Sequence, residues 1–291
     1  AEILADPAIK LGRALRAIDR YALARMDHRN STFQLHRLVQ ETLKLPLSAD
    51  ERTALRHCAH LLLADLDPGD PLSAQDWPRY VELLPHVWET EQWDCQSPWA
   101  RELVLSEIRF LDLWGSPSEA EALGRRALDL WAAKLGAEHP HTLRTSMRYA
   151  LILSSLGRFT ESYDRSTALV ETLTRLRGSD DEETLEARLS LALDLRNLGR
   201  FRHAVEVSRE VLEQQQRLFG RDDPLTLQTA HVHAIGLRLT GEFTTAMEID
   251  RYNHERRIAM FGPEHAYTLS SKYGFALGLM ESGRYWESMQ A

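Results

Sequence analysis

Three side chains in the first quarter of the chain, His57, Cys58 and His60, have the types that bind transition metals. On a helix, His57 and His60 lie one turn apart, whereas Cys58 points in a different direction. No second ligand pair follows at the spacing of a zinc site. We therefore predict that these residues belong to an amphipathic helix and that the chain holds no metal and no other cofactor.

Other residues with catalytic potential also stand in unfavourable patterns. The adjacent carboxylates Asp180 and Asp181 lie in a predicted turn, where water is their expected neighbour. The sequence contains neither a serine in a nucleophile elbow nor the phosphate-binding loop G-x-x-x-x-G-K-[ST]. Two histidine pairs have members two residues apart, which face different ways on a helix, so capping and packing explain them. These pairs are His139 with His141 and His231 with His233. The sequence predicts that this chain is not an enzyme.

A fixed interval of 42 residues organises most of the chain. A Thr-Leu pair returns at this interval, and an alanine and then a glycine follow each pair at constant distances. The pairs begin at Thr142, Thr184, Thr226 and Thr268, the alanines are Ala150, Ala192, Ala234 and Ala276, and the glycines are Gly157, Gly199, Gly241 and Gly283. Such a period is typical of a solenoid, in which each unit buries its apolar face only against its neighbours. We predict an all-α solenoid of helix-turn-helix repeats.

Each repeat also carries residues that end one helix and begin the next. A glycine closes the preceding helix, and we expect it to adopt the left-handed conformation. The residue three positions later is suited to cap the first helix, here called helix A, which then runs about 15 residues. These glycines are Gly136, Gly178, Gly220 and Gly262, and the capping residues are His139, Asp181, Asp223 and His265. The repeated alanine is small enough for the second helix, helix B, to approach.

The repeats begin at about Pro98. The first is degenerate, because Ile108 replaces the alanine of helix A, and terminal repeats are expected to be atypical. Three complete repeats and a fifth follow, the fifth with only the first turn or two of helix B. The complete repeats cover roughly 135–176, 177–218 and 219–260.

The repeats resemble the kinesin-light-chain type of tetratricopeptide repeat over residues 98–291, in unit length and in the Thr-Leu, Leu-Ala and Gly-Arg-Phe/Tyr landmarks. In that family helix A lines the concave surface and binds peptide segments of other proteins. The resemblance therefore implies a superhelical, non-catalytic scaffold for a protein or peptide ligand. The helix-A positions that it places on the concave face are Arg144, Met147, Arg148, Glu186, Leu189, Arg196, Asn197, Gln228, His231, Arg238 and Tyr273.

Three arginines on this face have the chemistry of a carboxylate site. The guanidinium groups of Arg148, Arg196 and Arg238 offer planar forks for a carboxylate or for backbone carbonyls. The alternative is that these are ordinary solvated helix residues, with Glu186 and Asp194 as partners. The sequence leaves both interpretations open.

Residues 1–45 do not follow the repeat. Positions 8–19 have the apolar spacing of a helix, and positions 21–27 alternate as a strand. Turn residues precede a second short strand at 32–35, and a helix follows that strand. Helix, hairpin and helix in this order are typical of the back half of a winged-helix module.

Residues 46–94 are predicted to form two helices. Ser48 and Glu51 have the spacing of a capping box for a helix that reaches about Asp65. The Pro-Gly stretch 67–71 breaks this helix, and the next begins near Trp77. Pro85 should kink or restart that second helix.

Six of the seven tryptophans lie between Trp77 and Trp131. Large aromatic side chains dominate burial wherever they cluster. We therefore expect a dense junction that fixes the helical arm to the first repeat. The predicted domains are a winged-helix remnant at 1–45, a helical arm at 46–97 and the repeats at 98–291.

A second resemblance covers the residues before the repeats. Three short motifs occur in the order found in bacterial signal-transduction ATPases of the NB-ARC, or STAND, class that carry tetratricopeptide repeats. The motifs are His36-Arg37-Leu38-Val39-Gln40, Trp77-Pro78-Arg79-Tyr80 and Leu83-Leu84-Pro85-His86. The resemblance implies that the chain is the sensor arm of such an ATPase, whose nucleotide module lies upstream. The alternative is a transcriptional regulator that contacts DNA through the winged helix.

The composition of the chain limits the kinds of partner that we expect it to bind. The net charge of −8 argues against general nucleic-acid binding, which requires an excess of Lys and Arg. Two cysteines fit a reducing compartment, and no apolar run approaches the about 20 residues of a membrane span, so we expect a cytoplasmic protein without membrane contact. Because the fifth repeat is incomplete, we also expect self-association through its exposed end, or a frayed terminus.

Overall fold

The computed structural model describes residues 24–27 and 32–290. The predicted helix at 8–19 and the start of the predicted strand at 21–27 lie outside these ranges. The described residues form thirteen α-helices and one two-stranded sheet, in two compact units that meet in sequence between Ala59 and His60. The predicted all-α class is therefore confirmed. Within the described part of the chain, each helix is too short or too polar to cross a bilayer.

The first unit contains the predicted hairpin. Strand β1 (Ala24–Asp27) pairs antiparallel with β2 (Thr32–Leu35), and Ala24 lies opposite Leu35. Helix α1 (Arg37–Lys44) follows at once, and its N-cap residue His36 accepts a hydrogen bond from a first-turn backbone N–H. The second strand has the predicted bounds because its alternation of apolar and polar residues ends where the helical spacing begins.

Helix α2 (Ala49–Asp65) begins at the predicted capping box, which is confirmed. The backbone N–H of Ser48 donates to Oε2 of Glu51 at 2.8 Å, and the N–H of Glu51 donates to Oγ of Ser48 at 3.2 Å. Each side chain thus accepts from the other residue's amide, which provides partners that the helix backbone lacks at its start.

Helix α3 (Trp77–Thr90) corrects the expectation for Pro85. The helix runs through the proline as one element, so the predicted restart is wrong. Proline removes one helical hydrogen bond, and burial of the side chains on either side holds the helix together. Tyr80, Leu83 and Val87 are all buried in the core.

The rest of the chain is a series of helical hairpins, which confirms the predicted solenoid. The first helices begin at residues 98, 140, 182, 224 and 266, so the structure keeps the 42-residue period of the sequence. The five hairpins are α4 (Pro98–Leu113) with α5 (Pro117–Leu135), α6 (Pro140–Ser155) with α7 (Phe159–Arg177), α8 (Glu182–Asn197) with α9 (Phe201–Leu218), α10 (Pro224–Leu239) with α11 (Phe243–Phe261), and α12 (Ala266–Glu281) with α13 (Tyr285–Gln290).

The predicted capping residues of the last four hairpins are confirmed. Asp223 accepts from the backbone N–H of Leu225 at 2.9 Å, and Asp181 accepts from that of Thr184 at 3.3 Å. The ring Nδ1 of His139 accepts from a first-turn N–H at 3.2 Å, as does that of His265. A histidine therefore does the same work as an aspartate at this position, since either offers an acceptor to the open amides.

The glycines before these caps differ from the prediction. Gly178 has φ 91° and ψ 170°, and Gly262 has φ 81° and ψ 170°, so the backbone is extended with positive φ and is not left-handed helical. This region is open essentially to glycine alone. A turn follows each of these glycines and leads to the cap three residues later; in the first, the N–H of His139 donates to the carbonyl of Gly136 at 3.3 Å.

The predicted tryptophan junction is present, and two of its six tryptophans remain half exposed. The Trp88 and Trp93 rings lie 5.2 Å apart, and Nε1 of Trp131 donates to the carbonyl of Trp93 at 2.7 Å. Trp77 packs against the same core of buried residues from α3, α4 and α5. Trp99 and Trp114 are each about half exposed, although the Trp114 ring still lies 5.5 Å from that of Trp77. We call this core, with Trp77, Trp88, Trp93 and Trp131, the tryptophan joint.

Candidate functional site

One groove of about 880 Å³ runs across the first helices of four successive hairpins. Side chains of α4, α6, α8 and α10 line it, together with the segment 69–72 and Tyr267. Every third or fourth residue of these helices faces the same side, so the 42-residue period brings equivalent positions together along the groove. These are the first helices of four repeats, and Phe159 and Gln215 of two second helices also line the groove.

The structure brings eight of the eleven candidate residues to this groove. They are Arg144, Met147, Arg148, Glu186, Leu189, Arg196, Asn197 and Gln228. The other three, His231, Arg238 and Tyr273, are not part of its lining.

Acidic partners hold three of the four arginines in the groove. Arg144 pairs with Glu102 at 2.6 Å, and Arg109 pairs with Asp112 at 3.4 Å. Arg148 lies 3.8 Å from Glu186, a long and weak pair. For Arg148 the structure thus supports the alternative interpretation of a helix residue with an acidic neighbour, although the pair leaves most of its hydrogen-bonding capacity open.

Glu102 is the most firmly held acid of the groove. The adjacent His141 ring and the Arg144 guanidinium lower the pKa of its carboxyl to about 2, against the cost of burial. Nε2 of His141 lies 3.1 Å from the Glu102 carboxylate. Sequence reasoning missed Glu102 because the degenerate first repeat was not mapped, yet Glu102 stands one 42-residue period before Arg144.

Arg196 has a different environment. In the part of the chain that the structure describes, no acceptor contacts its guanidinium, and burial alone lowers the pKa of the group. Asp194, one of the acids expected near these arginines, is buried elsewhere and accepts a hydrogen bond from Ser162 at 2.6 Å. An arginine stays charged under these conditions, so Arg196 presents an uncompensated positive charge in the groove.

The neighbours of Arg196 give the groove mixed chemistry. The amide of Asn197 donates to Oγ of Ser154 at 2.7 Å, which fixes the orientation of its side chain. Met147 and Leu189 are buried beneath and contribute apolar surface. Fixed amides beside an apolar floor are the groups that an extended peptide backbone and its side chains require.

His231 and Arg238 lie in a buried network between hairpins. Nδ1 of His231 is 3.2 Å from Oδ1 of Asp250, and Arg238 forms an ion pair with Oδ2 of the same carboxylate. Oγ of Ser270 lies 2.9 Å from Nε2 of His231. Asp250 lies on helix α11, a helix B, and so falls outside the helix-A positions that the resemblance implies. Tyr273 is 67% exposed and is not part of the groove lining.

The remaining histidines of interest have structural roles. His60 is buried, and its Nε2 lies 2.7 Å from the carbonyl of Thr90. Nδ1 of His233 lies 2.9 Å from Oγ of Ser208, and burial lowers the pKa of this imidazole. His233 is thus packed in the interior, as the sequence predicts.

One buried acid in this unit has no partner. Glu107 on α4 is fully buried, and neither carboxylate oxygen has a hydrogen bond among the described residues. Burial and the negative charge of Asp67 raise its pKa to about 9. The side chain is therefore a neutral acid at physiological pH. The sequence gives no sign of this, because Glu107 occupies an ordinary helical position.

Comparison with known proteins agrees with the architecture. The tetratricopeptide repeat family model matches residues 115–141 and 184–225. A search among curated proteins finds no match. A tetratricopeptide solenoid is a scaffold for protein–protein interaction, since stacked repeats create extended binding surfaces.

Solved structures share the fold at low identity. The nearly identical TPR-like repeats described for a kinesin light chain of Podosopora anserina are 20% identical, with a TM-score of 0.52, over 67% of this chain and 92% of that one. BtubC (BKLC) from P. vanneervenii is 16% identical, with a TM-score of 0.50, over 75% and 84%. The apo form of RapI is 10% identical, with a TM-score of 0.52, over 86% and 66%. The resemblance to kinesin-light-chain repeats is thus confirmed at the level of fold.

Proposed function

We propose that this chain binds an extended peptide segment of a partner protein in the groove, with Arg196 as the contact for a carboxylate of that peptide. The observation that carries the proposal is a partly buried guanidinium without an internal acceptor on the wall of a groove lined by four helices. The chain itself performs no catalysis in this proposal.

The energetics favour an anionic contact at Arg196. Removing a charged group from water costs free energy that only a paired charge or several hydrogen bonds recover. The folded chain bears this cost at Arg196, and a ligand carboxylate would recover it through two parallel N–H···O bonds. Arg144 and Arg109 offer less, because Glu102 and Asp112 already occupy them.

The shape of the site supports an extended ligand. The groove crosses four helices, so a bound segment meets equivalent positions of successive repeats. Asn197 and Gln228 place amide groups along it, and such groups both donate to and accept from a peptide backbone. Met147 and Leu189 supply the apolar contacts that separate one side-chain sequence from another.

We extend the proposal to the cellular role. The motifs at 36–40, 77–80 and 83–86 support a winged-helix remnant at 1–45 and a helical arm at 46–97 that join the repeats to an upstream nucleotide module of the STAND class. In this arrangement the repeats are the sensor, and peptide occupancy regulates the bacterial signalling ATPase in the cytoplasm. The alternative is a DNA-binding regulator, which the negative net charge of the chain disfavours.

Selection from a displayed random peptide library, followed by affinity measurement, tests the site. Peptides selected on the wild-type chain are expected to bind an Arg196→Gln variant about tenfold or more weakly, since a hydrogen-bonded charge pair is lost. The control is Arg251→Gln, which removes the same charge from an exposed position on α11, outside the groove. Selected peptides that bind both variants equally well, or a selection that enriches none, would overturn the proposal.

A gel-shift experiment decides between the two cellular roles. Tight binding to duplex DNA that weakens steeply with salt would favour the DNA-binding regulator. Absence of such binding at low salt, together with peptide binding, would favour the sensor arm.

A further inference from the structure

Arg196 and Arg238 occupy the same place in successive repeats, 42 residues apart. Both lie in the last turn of helix A, in α8 and α10. The residue twelve positions further on belongs to helix B and is Ser208 in one repeat and Asp250 in the other. The two repeats therefore offer the same cation with and without an internal carboxylate.

At Arg238 the carboxylate closes the site. Asp250 is fully buried, forms an ion pair with the Arg238 guanidinium and lies 3.2 Å from the ring of His231. The Arg238 side chain is only 8% exposed and does not line the groove. Asp250 thus holds this arginine in the joint between hairpins.

A glycine of the next repeat leaves room for this arrangement. A Cβ added to Gly274 would lie 2.8 Å from Oδ2 of Asp250, closer than the two atoms can approach. The residue one period earlier is Val232, whose side chain is buried. A carboxylate at position 208 would meet that valine, so the preceding repeat excludes the closed arrangement.

At Arg196 each element of the closed site is replaced. Leu189 stands in the place of His231, and Ser208 stands in the place of Asp250. Oγ of Ser208 donates to the carbonyl of Val205 at 3.1 Å and lies 2.9 Å from Nδ1 of His233, so its hydrogen bonds go elsewhere. Arg196 therefore remains available in the groove.

We propose that Asp250 is an internal substitute for a ligand carboxylate, which withdraws Arg238 from the groove and leaves Arg196 as the one open carboxylate subsite of this pair. The inference rests on the proposed peptide-binding function and specifies it further. The ligand needs one acidic group, an acidic side chain or a terminal carboxylate, at the repeat of α8, and neutral chemistry at the repeat of α10. Asp250 is then a specificity-determining residue that never touches the ligand.

Arginine modification tests the pairing without any ligand. Phenylglyoxal attacks accessible guanidinium groups, and mass spectrometry of the digested protein locates the adducts. In the wild-type chain Arg196 is expected to react about tenfold or more faster than Arg238, in line with the strength of a buried charge-assisted pair. Asp250→Ser, which copies the residue of the preceding repeat, is expected to bring the two rates within a few-fold. Equal rates in the wild-type chain would overturn the proposal.

Peptide binding in a double variant tests whether Asp250 takes the place of a ligand carboxylate at Arg238. The probes are the peptides selected on the wild-type chain, each prepared with a free and with an amidated C-terminus to separate the two carboxylate sources. Arg196→Gln alone is expected to lose binding, and Asp250→Ser in that background is expected to restore it through Arg238. Loss in the single variant without recovery in the folded double variant would sink the inference and leave the proposed function standing. Unchanged binding in the single variant would instead contradict the proposed function.

A reciprocal variant keeps the inference testable if Asp250→Ser fails to fold. Ser208→Asp with Val232→Gly transfers the closed arrangement to Arg196. This variant is expected to protect Arg196 from phenylglyoxal about tenfold and to lose peptide binding. The control, Ser208→Asn with Val232→Gly, has the same shape without the charge. It is expected to keep both the reactivity of Arg196 with phenylglyoxal and the binding of the peptide. Identical behaviour of the two reciprocal variants would overturn the inference.

Discussion

The tryptophan joint and the joint of α10, α11 and α12 belong to the same solenoid but are built from opposite chemistry. In the tryptophan joint, buried apolar and aromatic side chains fill the space between α3, α4 and α5. In the second joint, which we call the ionic joint, the buried groups include His231, Arg238, Asp250 and Arg257. A 42-residue period therefore fixes where helices meet and leaves open what holds them together.

The difference lies in how each joint tolerates change. Apolar contacts are non-directional, so the tryptophan joint depends on volume. The ionic joint depends on matched partners: Arg257 is almost fully buried and donates to the carbonyls of Tyr267 and Leu227 at 2.8 and 3.0 Å. Burial nevertheless lowers the pKa of Arg257 to about 10. A buried charge strongly destabilises the fold when its partner is removed. The ionic joint therefore depends on every one of its paired groups being present.

Truncation in the tryptophan joint should have the largest effect. Trp131→Ala removes a side chain that is 1% exposed together with its hydrogen bond to Trp93. We expect the free energy of unfolding to fall by about 3–5 kcal/mol, as for other large-to-small core substitutions. Urea unfolding followed by circular dichroism measures it. Trp286→Ala, at a side chain that is 78% exposed, is the control and should change the value by less than about 0.5 kcal/mol. Equal losses in the two variants would contradict the assignment of the core.

Removal of one partner from the ionic joint should cost slightly less. Asp250→Ala strands the Arg238 charge, and such losses are about 3–5 kcal/mol in buried pairs. We expect the lower end, about 3 kcal/mol, because the freed guanidinium can turn toward the groove. The double variant Asp250→Ala, Arg238→Met removes both charges and should recover most of the loss. If the two single-site effects simply add in urea unfolding, the ion pair is not what holds this joint.

A change at Glu107 tests the protonation state of this carboxyl, which is buried on α4 beside the apolar core of the tryptophan joint. Because burial raises the pKa of this carboxyl to about 9, the folded chain keeps its proton while the unfolded chain releases it above about pH 4.3. The unfolded state then binds fewer protons, so the stability of the wild-type chain falls as pH rises from about 5 toward 9, by at most about 1.4 kcal/mol per pH unit. Glu107→Gln lacks this slope and should therefore gain stability relative to the wild-type chain by up to about 3.5 kcal/mol between pH 5.5 and pH 8.

Urea unfolding at pH 5.5 and pH 8 provides the measurement for Glu107. The control is Glu82→Gln, an exposed acid on α3, which should leave the pH dependence unchanged. Curves that stay parallel for wild type and Glu107→Gln across this range would show that the carboxyl is ionised in the folded chain.

Much of the fold could be predicted from local patterns. The hairpin period, the caps at Asp181 and Asp223 and the capping box at Ser48 all depend on residues within one helix or one turn. The course of the helix through Pro85 and the extended glycine at Gly178 could not, because packing on distant residues and the path to the next cap decide them.

The site was less predictable than the fold. The resemblance to kinesin-light-chain repeats implied eight of the groove positions, since the helix-A register of those repeats recurs here without interruption. The different environments of Arg196 and Arg238 do not follow from the helix-A register. They depend on Asp250 from helix B and on Gly274 from the next repeat. The protonated state of Glu107 likewise comes from burial, which a helical position does not reveal.

The sequence by itself determined the repeat and its helices, because these depend on spacing along the chain. Only the tertiary structure decided which charges are neutralised within the protein and which remain available for a ligand. The physical reason is that an ion pair requires two groups within a few ångströms, and residues that form one pair here lie on different helices. Two arginines with the same place in the repeat thereby acquire different environments.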